Sequence, residues 1–347
     1  MGLSMKHIKK SSLVIIAILV AILGLISQNA IGNFYNSQSS INSQSAGSVV
    51  YVENGVTGIV SINDPFLNKT TDINIIYAPL DSGSGFIVNN NGYIITAFHV
   101  VGDPLTIQNQ MTLKLMNSTD VQNYLEKAAV TSYLTNYNPQ LGSELVTNNV
   151  PGNPMMIQSQ PDANTTTELL IQRNLLNVKN SQQLIKVKLP GTSGGNSVDA
   201  SLVDVGDPNS DDDVALLKIN TFFQKLPSLS VSSKRPNIGE KIQIYGYPVI
   251  NGGMYSDFNQ STIKPSSTSG ILTSITPNNG TVYYQTDAVT THGYSGGPAL
   301  DSSNNVLGII IYSIESNNPS ASTSSLFLSS DYIIQICNKN NVPINIV

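Results

Sequence analysis

Short apolar runs separated by turn-forming residues recur along most of the chain, and their spacing predicts strands rather than helices. In the first half they cover Val49 to Val52, Gly58 to Ile62 and Ile73 to Tyr77. Two further runs, Gly83 to Val88 and Tyr93 to Val101, flank an Asn-Gly step at Asn91-Gly92. That step is a strong local signal for a hairpin, because both residues tolerate the positive φ that tight two-strand turns need. Leu184 to Leu189 and Val198 to Val205 read as a strand pair leading into Val214 to Ile219. Leu226 to Pro236 reads as a crossover. Beyond it the pattern resumes at Lys241 to Tyr245, Gly270 to Ile275, Thr281 to Gln285 and Val306 to Tyr312, with a terminal helix expected over Asp331 to Asn338. Regularly spaced short strands of this kind argue an all-β chain built as barrels.

Two stretches break the pattern. Met1 to Lys10 carries Lys6, His7, Lys9 and Lys10, and Leu13 to Ile26 is then unbroken apolar or Gly. That length suits a signal peptide, and the flanking residues could stretch it to a membrane span of roughly 20 residues. Ala30-Ile31-Gly32 offers small residues for cleavage after Gly32, so both a cleaved signal and an uncleaved anchor stay open. In either case the basic residues stay inside and the remainder is exported, which makes the protein extracytoplasmic, membrane-anchored or secreted. Residues 33–48, rich in Ser, Asn and Gln, read as a polar tether.

The second break is residues 104–184. Val121, Tyr124, Leu125, Ala128 and Ser132 fall at helical spacing, with Ser118 or Thr119 as a cap. Pro139, Pro151, Pro154 and Pro161 then force loops before a second expected helix near Glu168 to Val178. The plain reading is a surface insertion packed on the first barrel, and the sharper one is a lid over a cleft.

Composition narrows the chemistry. Only 11% of residues are charged, against roughly 25% in a typical soluble domain, and polarity comes instead from Asn, Ser, Thr and Gln. With a net charge of −5 and no dense basic block beyond the N-terminus, nothing points to nucleic acid. The single cysteine, Cys337, excludes an internal disulfide framework and reads as a buried small residue. No Cys/His cluster has metal-ligand spacing, so neither a metal nor another cofactor is expected. Five Asn-x-Ser/Thr sites, at Asn68, Asn117, Asn164, Asn259 and Asn279, permit glycosylation in an exported chain and require nothing.

The densest candidate chemistry lies in Thr286-Asp287-Ala288-Val289-Thr290-Thr291-His292-Gly293-Tyr294-Ser295-Gly296-Gly297-Pro298. Glycines around a serine allow a sharp turn and a close substrate. Such a turn can aim the N–H groups of Gly293 and Ser295 at one point, where they would stabilise an oxyanion. A second frame, Gly191-Thr192-Ser193-Gly194-Gly195, lacks the proline and reads as a turn between strands, so the pentapeptide alone does not decide. A hydroxyl needs a neighbouring base. Of the three histidines, His7 belongs to the targeting segment, and His292 is too close to Ser295 in sequence to approach it from the opposite side. His99 remains, just past the second hairpin strand. The carboxylate to orient it comes from Asp211-Asp212-Asp213. Asp213 abuts the apolar run and is preferred, while Asp212 stays open.

Together these residues carry a resemblance. Gly83 to Val88 with Thr96-Ala97-Phe98-His99-Val100-Val101, then Asp213-Val214-Ala215-Leu216-Leu217-Lys218-Ile219, then Gln285-Thr286-Asp287-Ala288 ahead of Gly293 to Leu300, resemble a chymotrypsin-fold serine protease of the HtrA/Deg type. The order His, Asp, Ser is that of this fold and leaves out Ser193, which precedes the aspartate. Weaker matches lie at Ile238 to Ile242, Tyr245 to Pro248, Thr268 to Ser274 and Val306 to Ile309, so the likeness covers roughly residues 82–103 and 185–335. Three features depart from it. Tyr294 stands where Asn is frequent, the roughly fifty residues after Ser295 leave no room for a PDZ domain, and 114 residues (213 − 99) separate His99 from Asp213.

The resemblance implies two six-stranded antiparallel β-barrels, at 49–228 and 229–347, with a partly helical insertion in the first at about 104–184. It implies a catalytic cleft at their junction, with Ser295 as nucleophile, His99 as base, Asp213 as its partner, and Gly293 and Ser295 as the oxyanion hole. Val289, Thr290 and Thr291 would help line the pocket for the residue before the scissile bond. No acid stands there, so a small or medium apolar residue is expected. The implied activity is endopeptidase cleavage of polypeptides, with unfolded or damaged ones as the substrates the family suggests, and the chain could form a homo-oligomer. The rival readings are a peptide-binding, holdase-like surface protein that cuts little, and a surface structural protein.

Overall fold

A computed structural model describes residues 44–64, 69–102, 107–137, 175–191, 197–207, 212–221, 225–248, 263–278, 280–314 and 324–347. The N-terminal apolar run, the tether up to residue 43, Ser193 and its neighbours, Asn68, Asn164, Asn259 and Asn279 lie outside them. No helix of the described residues is long and apolar enough to cross a membrane. The last residues of the expected tether form a short helix instead, α1 (Gln44–Ser48), with Ser45, Ala46 and Ser48 buried.

Among the described residues, twelve strands close into two six-stranded antiparallel barrels. The first runs around in the order β1 (Val49–Asp64), β2 (Lys69–Ile87), β3 (Tyr93–Thr96), β6 (Ala215–Ile219), β5 (Val198–Val205) and β4 (Leu176–Lys188). The second runs β10 (Pro298–Leu300), β11 (Val306–Ile314), β12 (Ser324–Ser329), β9 (Thr281–Thr286), β8 (Ser266–Asn278) and β7 (Lys241–Gly246). Barrel closure removes the exposed edges that an Asn-, Ser- and Thr-rich sheet with few charges would otherwise leave open to pairing with other chains.

The three short strands expected from Val49 to Tyr77 are parts of two long ones. β1 and β2 stay paired from Val49↔Phe86 out to Asp64↔Lys69, with register shifts at Asn54/Gly55 and Val56/Gly58. Such shifts bend a strand and sharpen its twist. Outside the barrel the overhanging ends of β1, β2 and β4 carry their own apolar cluster, where Val56, Val60, Ile62, Ile75 and Leu176 pack under the insertion.

The insertion supplies two helices on that cluster, α3 (Gln108–Met116) and α4 (Thr119–Tyr137). Met111, Leu115, Val121 and Leu125 point inward, and Ala128 is also buried, so the helical spacing beginning at Val121 marks the packed face as expected. Ser118 starts α4 through its carbonyl, which accepts from the Gln122 N–H at 3.0 Å. Its hydroxyl is buried without a partner among the described residues, so it does not cap the helix. The second expected helix is corrected where it can be compared. Leu176, Asn177 and Val178 are strand, paired with Ile62, Ser61 and Val60. The Leu175 carbonyl just ahead of them accepts from the Asn63 N–H of β1, and residues 168–174 lie outside the described residues.

The largest cluster fills the first barrel and continues into the face that the second barrel turns towards it. Phe86, Ile94, Leu216 and Leu217 share it with Tyr247, Val306, Ile309 and Leu328. The terminal helix α5 (Ser330–Lys339) buries Ile333, Ile336 and Cys337 in the same cluster, and its N-cap Ser329 accepts from the Asp331 N–H. The second barrel keeps a separate interior around Ile242, Ile244, Tyr284, Ile310 and Phe327.

Candidate active site

The register of the first barrel brings His99 and Asp213 together. β3 pairs with β6 so that Thr96 lies opposite Ala215. Two residues further along, the chains diverge, leaving Asp213 beside the short helix α2 (Phe98–Val101) that follows β3. Val100 and Val101 are buried and fix this helix, and Asn54 Nδ2 ties it down by donating to the Val101 carbonyl at 2.8 Å. The histidine is therefore presented from a packed helical turn just past the second hairpin strand.

The Asp213 carboxylate holds His99 twice. One oxygen lies 2.6 Å from Nδ1, and the other accepts from the His99 main-chain N–H at 2.8 Å. A carboxylate at Nδ1 fixes the proton there and leaves Nε2 as the acceptor. Burial works against a charged ring, but the hydrogen bond to Asp213 and the negative charges of Asp213 and Asp81 outweigh it, so the imidazole is raised above its ordinary value. The alternative carboxylate, Asp212, accepts instead from Thr281 Oγ1 of the second barrel at 3.4 Å.

The turn around Ser295 arises from the glycines expected to make it. Gly293 has φ 98° and Gly296 φ 84°, a region that side chains with a Cβ rarely enter. Within the turn the Tyr294 N–H donates to the Thr291 carbonyl, Gly297 donates to Tyr294, and Gly296 donates across to Ile310. Among the described residues, the Gly293 and Ser295 N–H groups have no protein acceptor. The Ser295 hydroxyl donates to the Ile311 carbonyl at 3.3 Å, a long contact that rotation about χ1 breaks. The turn rests directly on the first barrel. A Cβ on Gly83 would lie 2.7 Å from both the Ser295 carbonyl oxygen and a Val100 methyl, so the serine main chain and the residue after His99 press on the same glycine.

Tyr294, at the position where Asn was the expected residue, is buried in the second barrel's interior. Burial raises its phenol above the ordinary value despite a hydrogen bond with Ser266. Of the expected pocket residues, Val289 is half exposed and Thr291 is exposed. Thr290 is buried, and its hydroxyl lies 2.7 Å from Ser313 Oγ and 2.8 Å from Ser325 Oγ. His292 is exposed, with Nε2 4.0 Å from Asp81.

Two neighbours of the site escape sequence reasoning. Tyr312 lies parallel to the His99 ring, centroids 6.1 Å apart, and Asp81 adds its charge to the imidazole. Tyr312 ends an apolar run like any strand aromatic, and Asp81 stands out from other acids only by its closeness to Gly83. Among the described residues, no group of three or more His, Cys, Asp or Glu side chains could hold a metal ion.

Comparison with family models gives a match over residues 83–309 to the trypsin-like peptidase domain, which spans His99, Asp213 and Ser295 and covers well over half of the chain. Comparison with curated proteins gives no match.

Proposed function

The chain belongs to the trypsin-like peptidase family, and from that premise we propose that it is an exported serine endopeptidase of the HtrA/Deg type, acting on unfolded or damaged polypeptides. Ser295 Oγ attacks the scissile carbonyl, and His99 Nε2 takes its proton and later gives it to the leaving amine. Asp213 keeps the ring in the required tautomer and stabilises the imidazolium. The Gly293 and Ser295 N–H groups receive the oxyanion. Water then hydrolyses the acyl-enzyme by the same steps in reverse order.

The observation that carries this reading is the double hold of Asp213 on His99, at 2.6 Å to the ring and 2.8 Å to the main chain. A surface ion pair needs no such geometry, whereas a general base needs its tautomer fixed. The N-terminal run of Leu13 to Ile26 supports export, as a cleaved signal or an anchor. The absence of an acid at Val289, Thr290 and Thr291 supports a small or medium apolar residue before the cleaved bond.

Incubating the full chain with a fluorophosphonate probe and with unfolded casein tests the proposal. Wild type should be labelled and should cut casein, and Ser295→Ala should do neither. Labelling that persists in Ser295→Ala would move the nucleophile elsewhere, with Ser193 the first place to look. Binding of casein without cleavage or labelling would establish the holdase-like reading instead.

A further inference from the structure

The Gly83-Ser84-Gly85 segment has no part in the mechanism above, yet Ser84 is the point where the first barrel grips the nucleophile turn. Ser84 is wholly buried. Its N–H donates to the Ser295 carbonyl at 2.7 Å, and its hydroxyl donates to the Gly293 carbonyl at 2.6 Å. The same hydroxyl oxygen accepts from the Tyr247 N–H at 2.9 Å, which fixes the direction of its own proton. The Ser84 carbonyl in turn accepts from Thr96 Oγ1 at 2.7 Å, so the residue cannot rotate away. Gly83 and Gly296 let the two main chains approach this closely, since a Cβ on Gly296 would collide with the Ser84 carbonyl oxygen.

These bonds fall on particular peptide planes. The Ser295 N–H belongs to the plane of the Tyr294 carbonyl, which Gly297 holds at 2.8 Å. Ser84 holds the planes on either side of it, through Gly293 O and Ser295 O. The Gly293 N–H lies in the next plane back, separated from a pinned carbonyl by one glycine. A glycine with φ 98° has no Cβ to restrict it, and left free it would sample many other conformations. With its carbonyl anchored, most of those are closed.

We infer that Ser84 is a positioning residue for the oxyanion hole, whose hydroxyl holds the Gly293 peptide so that the Gly293 and Ser295 N–H groups converge before substrate arrives. The inference rests on the endopeptidase reading and adds a residue that touches neither substrate nor the reacting atoms. Removing one oxyanion donor outright costs about 10²–10³ in kcat. Losing the hydroxyl that positions one should cost less, about 10- to 100-fold.

The test uses the full chain as wild type, Ser84→Ala, Ser84→Cys and Asn89→Ala. Ser84→Cys keeps the volume with a weak donor, and serves should the alanine variant not fold. Asn89 is a comparable hydrogen-bond centre remote from the turn, holding the Pro343 carbonyl and two hairpin N–H groups. Both Ser84 variants should lose kcat and fluorophosphonate labelling rate 10- to 100-fold with KM nearly unchanged. Their affinity for a peptide boronate, which mimics the tetrahedral adduct, should fall in the same ratio. The acid limb of the pH profile should stay in place, and Asn89→Ala should lower Tm without lowering kcat. Wild-type kcat in a folded Ser84 variant, or a loss matched by the unfolded fraction alone, overturns the inference. A wild type that the probe does not label would remove the endopeptidase reading itself, and this one with it.

Discussion

His99 is held at two points by one carboxylate, and this gives activity and stability opposite pH dependences. The base must be neutral to act, and its imidazole is raised above the ordinary value despite its burial, by the Asp213 hydrogen bond and by the charges of Asp213 and Asp81. The acid limb of kcat/KM should therefore lie above about 6.5, the ordinary histidine value. The stability that the pair contributes runs the other way. With a raised folded value, it is fully present below the unfolded value of about 6.5 and is lost as pH rises through the folded one. Asp213→Asn should lower kcat by about 10⁴, by analogy with the loss of the equivalent carboxylate elsewhere, and should move the acid limb down. The Tm difference between wild type and this variant should shrink over the same pH window in which wild-type activity grows. An acid limb that the substitution does not move would mean that Asp213 does not set the His99 titration. At this scale the sequence is legible where residues are scarce. With three histidines in the chain, elimination reaches His99, and the glycines around Ser295 announce their turn. Ser84 and Tyr312 are not legible, because their importance lies in contacts between barrels. Ser84 and Gly293 are 209 residues apart.

Most strands can be read from alternation and turn signals, yet the elements that fail do so for physical reasons. β10 (Pro298–Leu300) is three residues long and is defined by its partners β7 and β11, leaving no period to detect. β12 (Ser324–Ser329) is half serine, and all three serines are buried with hydrogen-bond partners: Ser325 donates to the Ala288 carbonyl, Ser324 accepts from Gln285 Nε2 and Ser329 accepts from the Asp331 N–H. The helix expected up to Val178 ends as strand because β1 overhangs the barrel and needs a partner there. That overhang is also why the insertion has its own core, distinct from the one that reaches His99. Leu115 is fully buried in it, next to Gly58 of β1. Leu115→Ala should destabilise that region by about 2–5 kcal/mol, the usual range for such a truncation. Because the cluster is separate, the change should appear as faster hydrogen exchange across residues 107–128, with kcat within about twofold of wild type. A parallel loss of kcat would show that the insertion supports the cleft as well as its own packing.

The two barrels are separate in topology but not in packing, and the terminal helix is the reason they should unfold together. α5 comes from the end of the chain, after the last strand of the second barrel, yet its inward face lies in the cluster that fills the first. Lys339 and Asn340 tie it to Asp204 of β5 in the first barrel, at 2.9 and 2.6 Å. These bonds and the Lys339 charge overcome the effect of burial and hold the Asp204 carboxyl below its ordinary value. Cys337, the chain's single cysteine, sits on the buried face of this helix and is wholly inaccessible, with burial pushing its thiol up to about 12. A thiol reagent needs both access and thiolate, so the native state supplies neither. Reaction then requires α5 to leave a core to which both barrels contribute, and the opening should cost close to the global stability, about 5–15 kcal/mol for an ordinary domain. Cys337 labelling should thus be negligible in the native protein. In a denaturant series its onset should share one midpoint with the loss of peptidase activity and of far-ultraviolet ellipticity. Labelling that begins at lower denaturant while activity persists would mean that the helix detaches alone and that the barrels are held together by their facing walls without it.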